Sequence, residues 1–397
     1  MPASDAILVN PTLLAWARHE SGYGVERVAK RLQVKEERVE AWEKGERQPT
    51  FRQVEELAKF LHRPLSVFYL SRPPQLPPLA AEYRRLPGVE PGHESPELRL
   101  ALRQMLNRRE NALNLMEELG QPVPEFKLRA HLRDSPVEVG QQMREATGID
   151  SMTQLDWSNE WRAWSAWRSA IEGLGLLVFQ FPKVTLEETR GLALLRLPLP
   201  VIAVNGKEMP EAKAYTVFHE LAHLMLAAAN EEEPALRERR SSVEWEKVER
   251  FAEIAASNAL VPETALRTVI RNEGLSNSSW DITDVRKLAR AFKITPLAMA
   301  TRLRESGFIS WTRYHQWRAD WDSYVATLRP RGGGFASPAE KAVSRAGRPF
   351  AQLVLEALSA NRLTAVDASR YLDLRFEHFE TLKNHLRGGP GEAATDE

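Results

Sequence analysis

The stretch from Tyr215 to Ala229 is apolar and helix-forming, and it carries His219-Glu220-Leu221-Ala222-His223. Residues four apart lie one turn apart on the same face of an α-helix, so the two imidazoles converge on one point. Two such nitrogens suit a tetrahedral Zn²⁺ whose fourth position stays open to water. Glu220 follows the first ligand directly and could take a proton from that water. The pattern predicts a metal site, with Zn²⁺ as the expected ion and Mn²⁺ as an alternative. An amphipathic helix that holds two histidines by chance is the competing interpretation.

A third ligand is expected on a second helix. Apolar residues recur at helical spacing over 243–260, and Pro262 follows the end of this run. Glu249 shares a stripe with small apolar residues, where a carboxylate is costly unless it is paired or binds a metal. Glu246 and Glu253 lie along nearly the same face, so either could be the ligand instead. All three carboxylates could also be solvated.

The two segments together resemble the ImmA/IrrE metallopeptidase family. The resemblance rests on 215–224, on Glu249 and on Leu260-Val261-Pro262, and short strands at 190–194 and 199–205 resemble those that precede the active-site helix of this family. It spans roughly residues 173–303. It implies a zinc endopeptidase in which His219, His223 and Glu249 hold the metal and Glu220 is the general base. Proteases of this family are associated with inactivating repressors, so the resemblance also implies a partner protein as substrate.

The N-terminal segment has a different signature. Helical spacing predicts short helices over 11–21, 25–32, 35–44 and 51–61, with a tight turn at Gln33-Val34. In the third helix Val39 and Trp42 are expected to face inward. Residues 13–70 resemble the repressor-type (Cro/C1, xenobiotic-response-element) helix-turn-helix family, which implies sequence-specific binding to an operator.

In that family the third helix lies in the major groove of DNA. Here its expected exposed positions are Lys35, Glu36, Glu37, Arg38, Glu40 and Ala41. The candidate DNA-binding residues are Lys35, Glu36, Arg38, Lys44 and Arg47. Carboxylates facing phosphates oppose binding, although a glutamate can accept a hydrogen bond from cytosine. A helical module used for protein contacts is therefore the alternative, and a homodimer is expected if DNA binding holds.

Length and composition limit the classes of protein to which this chain can belong. A chain of 397 residues is expected to form two to four domains, and its formal net charge of +0 gives no bulk attraction to DNA or membrane. The absence of cysteine excludes disulfides, thiolate catalysis and cysteine zinc sites. No secretion signal or long apolar run is evident, so a cytoplasmic protein without membrane contact is expected.

The segments outside the two motifs also carry local signals. A proline-rich connector at 73–78 precedes a long charged helix over 94–120, and Trp157, Trp161, Trp164 and Trp167 are expected to be core residues. A short buried strand is expected at 176–181. Segments 282–304 and 350–386 have a helix-turn-helix rhythm without a basic stripe, so structural or partner-docking roles are expected for them. A flexible break is expected at 330–334 and a disordered tail at 388–397.

The predicted fold class is mainly α with a small β-sheet. Its parts are an all-α helix-turn-helix domain, a minimal zincin-like metallopeptidase domain and C-terminal helical regions. The expected bounds are 1–72 for the helix-turn-helix domain, 73–125 for the linker and long helix, 126–275 for the peptidase, 276–329 for a bracing region and 330–397 for the C-terminal module.

The predicted function is a DNA-binding regulator with zinc-dependent endopeptidase activity on a partner such as a repressor. Stress response, mobile elements and toxin–antitoxin systems are the expected settings. The alternative is a non-proteolytic, antitoxin-like regulator that binds DNA and a partner toxin.

Overall fold

A computed structural model describes residues 8–74, 94–229, 242–275, 279–327 and 336–388. The chain divides into two compact units, Met1–Gln104 and Met105–Glu397. The boundary between them falls within one long helix, α5 (Pro96–Glu118). The predicted class is confirmed, because helices dominate both units and the described strands form one small sheet.

The first unit begins with four short helices: α1 (Pro11–Glu20), α2 (Val25–Leu32), α3 (Glu36–Glu43) and α4 (Phe51–Phe60). Side chains cap two of these helices at their starts. The Asn10 side chain caps α1, and Thr50 forms a capping box with Gln53 at α4. Gln33 ends α2 in the left-handed conformation, which gives the sharp turn expected at this point. Val39 and Trp42 are buried as predicted.

The second unit holds the sheet and the remaining helices. Before the sheet lie α6 (Pro136–Thr147), α7 (Ser151–Leu155) and α8 (Glu160–Glu172). After it come α9 (Pro210–Ala229), α10 (Ser242–Leu260), α11 (Glu263–Asn272), α12 (Ile282–Phe292), α13 (Pro296–Glu305), α14 (Trp311–Ala326), α15 (Pro338–Ala346), α16 (Arg348–Ser359), α17 (Ala365–Leu372) and α18 (Phe379–Arg387). None of the described helices is both long and apolar enough to cross a membrane.

The sheet has the strand order β1-β3-β2, with β1 (Leu177–Phe181), β2 (Gly191–Leu194) and β3 (Val201–Asn205). β1 and β3 run parallel, with Leu177 opposite Val201, whereas β2 runs antiparallel to β3. All residues of the three strands are buried, since α9 packs against β2 and β3 while α15 packs against β1. The strand at one edge, β2, thus lies beside α9.

Helices α9 and α10 pack together, and α6 covers α10. The approach of α6 to α10 depends on Gly140, because a Cβ at that position would lie 2.5 Å from the carbonyl oxygen of Ala255. Glycine thus permits the backbones to meet more closely than any other residue would. This contact fixes the position of α10 next to α9, and the two helices carry the predicted metal ligands.

A buried ion pair joins the sheet to the C-terminal helices. Arg168 Nε donates to Glu172 Oε1 at 3.1 Å, and Arg168 Nη1 donates to the carbonyl oxygen of Ser344 at 2.8 Å. A third hydrogen bond runs from Arg168 Nη2 to the carbonyl oxygen of Val178 in β1. Burial raises the pKa of Glu172 to about 7, although the neighbouring guanidinium opposes this. One arginine therefore links α8, β1 and α15.

One core assignment is wrong. Trp157, Trp164 and Trp167 are buried, but Trp161 is 54% exposed. The reason is helical phase: the inward stripe of α8 passes through Trp164 and Trp167, and Trp161 falls outside it. Instead, the Lys213 ammonium lies over the Trp161 ring, with Lys213 Nζ 5.8 Å from the ring centroid.

Other expectations agree with the structure or lie outside it. The expected strands match β1, β2 and β3 within two residues, and the long helix is α5. The helix-turn-helix rhythm at 282–304 corresponds to α12 and α13, and that at 350–386 to α16, α17 and α18. Most of the proline-rich connector, most of the 330–334 break and the tail beyond Gly388 lie outside the described residues. The five-part division of the chain remains a prediction.

Candidate metal centre

The two histidines of α9 and one glutamate of α10 meet at a single point. His219 Nε2 and His223 Nε2 lie 3.0 Å apart. Glu249 Oε2 lies 3.3 Å from His219 Nε2, and Glu249 Oε1 lies 3.3 Å from His223 Nε2. The possible ligand atoms of His219, His223 and Glu249 all lie within 4.8 Å of one another. Among the described residues, no other three His, Asp or Glu side chains converge in this way.

The spacing of these atoms fits a shared divalent cation. Donors bound tetrahedrally at about 2.0–2.2 Å from an ion lie about 3.3–3.5 Å from each other, close to the separations seen here. Hydrogen bonding alone does not explain the cluster. Each Nε2 carries at most one proton, so two imidazoles cannot satisfy one contact with each other and two with Glu249. The donor set of two imidazoles and a carboxylate is the type that zinc takes.

Electrostatics favours a positive charge at this point, carried either by a metal ion or by a proton on an imidazole. Burial opposes ionisation of Glu249, but its contacts with His219 and His223 outweigh this and hold the pKa of Glu249 well below its usual range. Burial also opposes the charged form of His219, yet the hydrogen bond to Glu249 and the surrounding carboxylates raise the pKa of this imidazole. The pocket therefore carries a negative potential that attracts a cation.

Glu220 is buried beside the first residue of β2. A Cβ at Gly191 would lie 2.8 Å from Glu220 Oε1 and 2.5 Å from Thr216 Cγ2. Only a glycine therefore leaves the Glu220 carboxylate in its observed place next to the strand. Sequence reasoning missed Gly191, and the signal that could have found it is a glycine at the start of an otherwise apolar strand.

A polar network holds the start of α9 against β2. Thr216 Oγ1 donates to Glu208 Oε2 at 2.8 Å, and Arg190 Nη1 donates to Glu208 Oε1 at 3.0 Å. Burial raises the pKa of Glu208, while the hydrogen bonds from Thr216 and Arg190 oppose that rise. Since Thr216 also contacts Gly191, this network fixes the distance between Glu220 and the strand.

Tyr215 lies one turn before His219 and stacks on its ring with an interplanar angle of 21°. Its hydroxyl is directed at the carbonyl oxygen of Glu253, 3.5 Å away. Burial and the carboxylates of Glu253, Glu305 and Glu249 raise its pKa, so Tyr215 keeps its proton. Tyr215 therefore supports the His219 ring from the preceding turn of α9.

The alternatives to Glu249 lie elsewhere. Glu246 and Glu253 are exposed, and neither belongs to the group of converging donors. They sit on α10 one turn before and one turn after Glu249, so they are displaced along the helix axis by about 4.5–6 Å from its level. The structure thus brings together His219, His223 and Glu249, with Glu220 alongside.

The candidate DNA-binding residues form the outer surface of α3 and the turn that follows it. Lys35, Glu36, Arg38, Lys44 and Arg47 are all exposed. Glu37 and Glu40 are exposed as expected, and Glu40 pairs with Lys44 at 3.5 Å. Ala41 was expected to be exposed, and that prediction is wrong, because its Cβ faces the inner side of α3.

Sequence comparisons agree with both parts of this description. A family model described as an IrrE N-terminal-like domain matches residues 172–304. A second model, described as a helix-turn-helix domain, matches residues 12–66. No curated protein matched the chain. The fold and the site define a helix-turn-helix protein that also has a metallopeptidase-like domain. The predicted combination of an N-terminal helix-turn-helix domain with a domain of ImmA/IrrE type is confirmed.

Proposed function

We propose that this protein is a DNA-binding regulator whose second unit cleaves a peptide bond in a partner protein, with zinc held by His219, His223 and Glu249. The observation that supports this most directly is the convergence of these three donors within 4.8 Å, next to the buried Glu220. The match of residues 172–304 to an IrrE N-terminal-like domain supports the peptidase class. A transcriptional repressor is the expected substrate, and a cytoplasmic location would give access to both DNA and repressor.

The chemistry divides between the ion and the protein. A divalent ion in this site would supply Lewis acidity, polarising the scissile carbonyl and making a nearby water more acidic. Glu220 accepts the proton from that water as it attacks the carbonyl carbon. When the C–N bond breaks, Glu220 passes the proton to the departing amine. The carboxylate ends as it began, so the net reaction consumes one water and one peptide bond.

The sheet offers a way to hold an extended substrate. β2 lies at the edge of the described sheet, and its first residue contacts the Glu220 side chain. An extended peptide laid along a strand edge gains main-chain hydrogen bonds. A substrate aligned on β2 would bring one of its peptide bonds beside Glu220.

The decisive experiment compares the wild-type protein with Glu220→Gln. Repressors encoded by neighbouring genes are incubated with each protein after loading with zinc, and the products are identified by mass spectrometry. Loss of the general base should slow cleavage by about 10²–10⁴-fold. Glu246→Gln is the matched control, because Glu246 is an exposed glutamate on the helix that carries Glu249. It should cleave at the wild-type rate.

The antitoxin-like function is the second candidate, and the exposed carboxylates of α3 favour it. Glu36, Glu37 and Glu40 weaken attraction to DNA phosphates and suit contacts with a basic protein surface. In this case wild type and Glu220→Gln would bind a neighbouring gene product equally and leave it intact. Cleavage that depends on Glu220 excludes this alternative.

A further inference from the structure

Three arginines of the first unit surround the turn that ends α1. Arg99 Nη1 donates to the carbonyl oxygen of His19 at 3.0 Å, and Arg103 Nη1 contacts Ser21 Oγ at 3.4 Å. Ser21 Oγ in turn donates to the carbonyl oxygen of Leu61 at 3.4 Å, two residues before Arg63. The Arg63 guanidinium stacks over the Trp16 ring. These contacts gather the arginines Arg63, Arg99 and Arg103 into one cluster.

Two of these arginines have buried N–H groups that find no acceptor among the residues that the structure describes. Nε and Nη2 of Arg63 and Nε of Arg103 have no hydrogen-bond partner within the described part of the chain. A buried donor left unpaired costs about 1–3 kcal/mol, and more when the group is charged. Such donors are rare in folded proteins, and they often point to a missing ion or water. Here three of them occur in a single cluster.

The charges around the cluster do not balance. In the described part of the chain, the carboxylates seen beside the three guanidinium groups are those of Glu94 and Glu20. Glu94 pairs with Arg99 at 3.1 Å, and Glu20 lies near Arg63 and Arg103 without an ion pair to either among the described residues. Burial, followed by repulsion from Arg63, lowers the pKa of Arg103 to about 10, and the Tyr23 hydroxyl is a further neighbour. An additional anion would offset this excess of positive charge.

We propose that Arg63 and Arg103 form a binding site for a phosphate group. A guanidinium presents its N–H groups in a planar fork that matches phosphate oxygens, and charge-assisted bonds of this type are the strong ones. The three N–H groups that find no acceptor among the described residues match in number a group that offers three or four acceptor oxygens. Stacking on Trp16 holds the Arg63 plane in place. The phosphate could belong to a free phosphorylated compound or to the backbone of bound DNA.

The first test titrates inorganic phosphate into the full-length protein and follows its thermal unfolding. Sodium chloride at matched ionic strength serves as the reference. At a phosphate concentration 100 times the dissociation constant, wild type should gain about 2.7 kcal/mol of stability, which corresponds to a 100-fold shift in its unfolding equilibrium. Arg63→Gln combined with Arg103→Gln should lose this gain.

Two controls keep the result interpretable. Arg52→Gln removes an exposed arginine of α4 in the same unit and should keep the full phosphate response. Without phosphate, the double variant should unfold at or above the wild-type temperature, because the substitutions remove repulsion between buried like charges. The single Arg63→Lys and Arg103→Lys variants keep the charge but lose the planar fork, so each should bind phosphate at least several-fold more weakly.

A second measurement distinguishes the two sources of phosphate. DNA binding is measured by fluorescence anisotropy in a phosphate-free buffer. A phosphate response that depends on the two arginines, with DNA affinity unchanged in the double variant, supports a free compound. No response to phosphate, with DNA affinity lost in the double variant but not in Arg52→Gln, supports the DNA backbone. If neither stability nor DNA affinity depends on Arg63 and Arg103, the proposal is overturned.

Discussion

The helix pairs α2–α3 and α12–α13 turn through the same backbone geometry. The residue after the first helix is left-handed in both, with φ and ψ of 55° and 43° at Gln33 and 55° and 41° at Lys293. The next backbone N–H donates to an alanine five residues earlier, at 3.0 Å from Val34 and at 3.0 Å from Ile294. The two turns are thus the same element in two units of the chain.

The second helices of these pairs differ in what they expose. The outer face of α3 presents charged side chains such as Lys35 and Arg38. In α13 the matching face carries uncharged side chains, and Ala300 on this face is buried. On the inner side of α13, Arg302 is buried, and Arg302 Nε donates to the carbonyl oxygen of Val261 at 2.9 Å. The face of α13 that corresponds to the outer face of α3 therefore offers a DNA groove uncharged side chains in place of charged ones.

A third copy of the turn occurs between α17 and α18. Asp373 is left-handed with φ and ψ of 49° and 48°, and Leu374 N donates to the carbonyl oxygen of Ser369 at 3.1 Å. Phe376 is exposed where α3 has the exposed Glu36. The three turns show that this backbone geometry serves to pack two helices together. Whether such a pair binds DNA depends on which side chains its second helix leaves exposed.

The largest expected effect is a loss of activity in the metallopeptidase-like domain that leaves DNA binding by α2–α3 unchanged. Removing the metal with a chelator should lower peptidase activity by on the order of 1,000-fold, because the Lewis acid is lost. DNA affinity should stay within about twofold, since α3 and the donors of the site belong to different compact units of the chain and are far apart in sequence. Both are measured on one sample, before and after zinc is restored. A loss of DNA binding in parallel with peptidase activity would contradict the expected independence of the two functions.

Arg302→Ala tests whether α13 is structural. Its loss leaves the Val261 carbonyl without this donor and empties a packed site, so the free energy of unfolding should fall by about 2 kcal/mol. Arg302 Nη2 also pairs with Glu263, at 3.3 Å. Arg267→Ala is a matched control, because Arg267 pairs with Glu263 too, at 2.7 Å, but from an exposed position. That change should stay within about 0.5 kcal/mol. Urea unfolding measures both, and equal effects would contradict a buried structural role for Arg302.

Arg38→Ala tests whether α3 contacts DNA. Arg38 is exposed, so unfolding should change by less than about 0.5 kcal/mol, while DNA affinity should fall on the order of tenfold. Anisotropy titrations at several salt concentrations measure the affinity and its salt slope. An unchanged affinity would place α3 in the same structural class as α13.

The smallest effect concerns the shared turn. A left-handed conformation costs a non-glycine residue about 1–2 kcal/mol, partly offset by the flexibility that glycine adds to the unfolded chain. Gln33→Gly should therefore stabilise the protein by about 0.5 kcal/mol. Lys293→Gly should gain less, since it also removes hydrogen bonds from Lys293 Nζ to the carbonyl oxygens of Ala291 and Leu155. Thermal unfolding checks the order of the two.

Much of the site was predictable because its signals are local. The i, i+4 spacing of His219 and His223 requires only that the segment be helical, and the apolar spacing of 243–260 places Glu249 on the inner stripe of its helix. The turn at Gln33 was predictable for the same reason. Trp161 and Ala41 were misassigned because a shift of one position in helical phase moves a side chain from one face to another, and spacing alone leaves that phase open.

What the sequence determined by itself is the set of short-range features: the helices, their caps and turns, and the placement of His219 and His223 on one helix face, since each depends on residues within a few positions. Only the tertiary structure brought Glu249, and neither of its two neighbours, next to the histidines, gave Gly191 its part in positioning Glu220, and buried Arg302 on α13 while leaving Arg38 exposed on α3. These outcomes depend on contacts between segments distant in sequence, such as the close approach of α6 and α10 at Gly140. Packing in three dimensions selects among faces that local periodicity leaves equivalent.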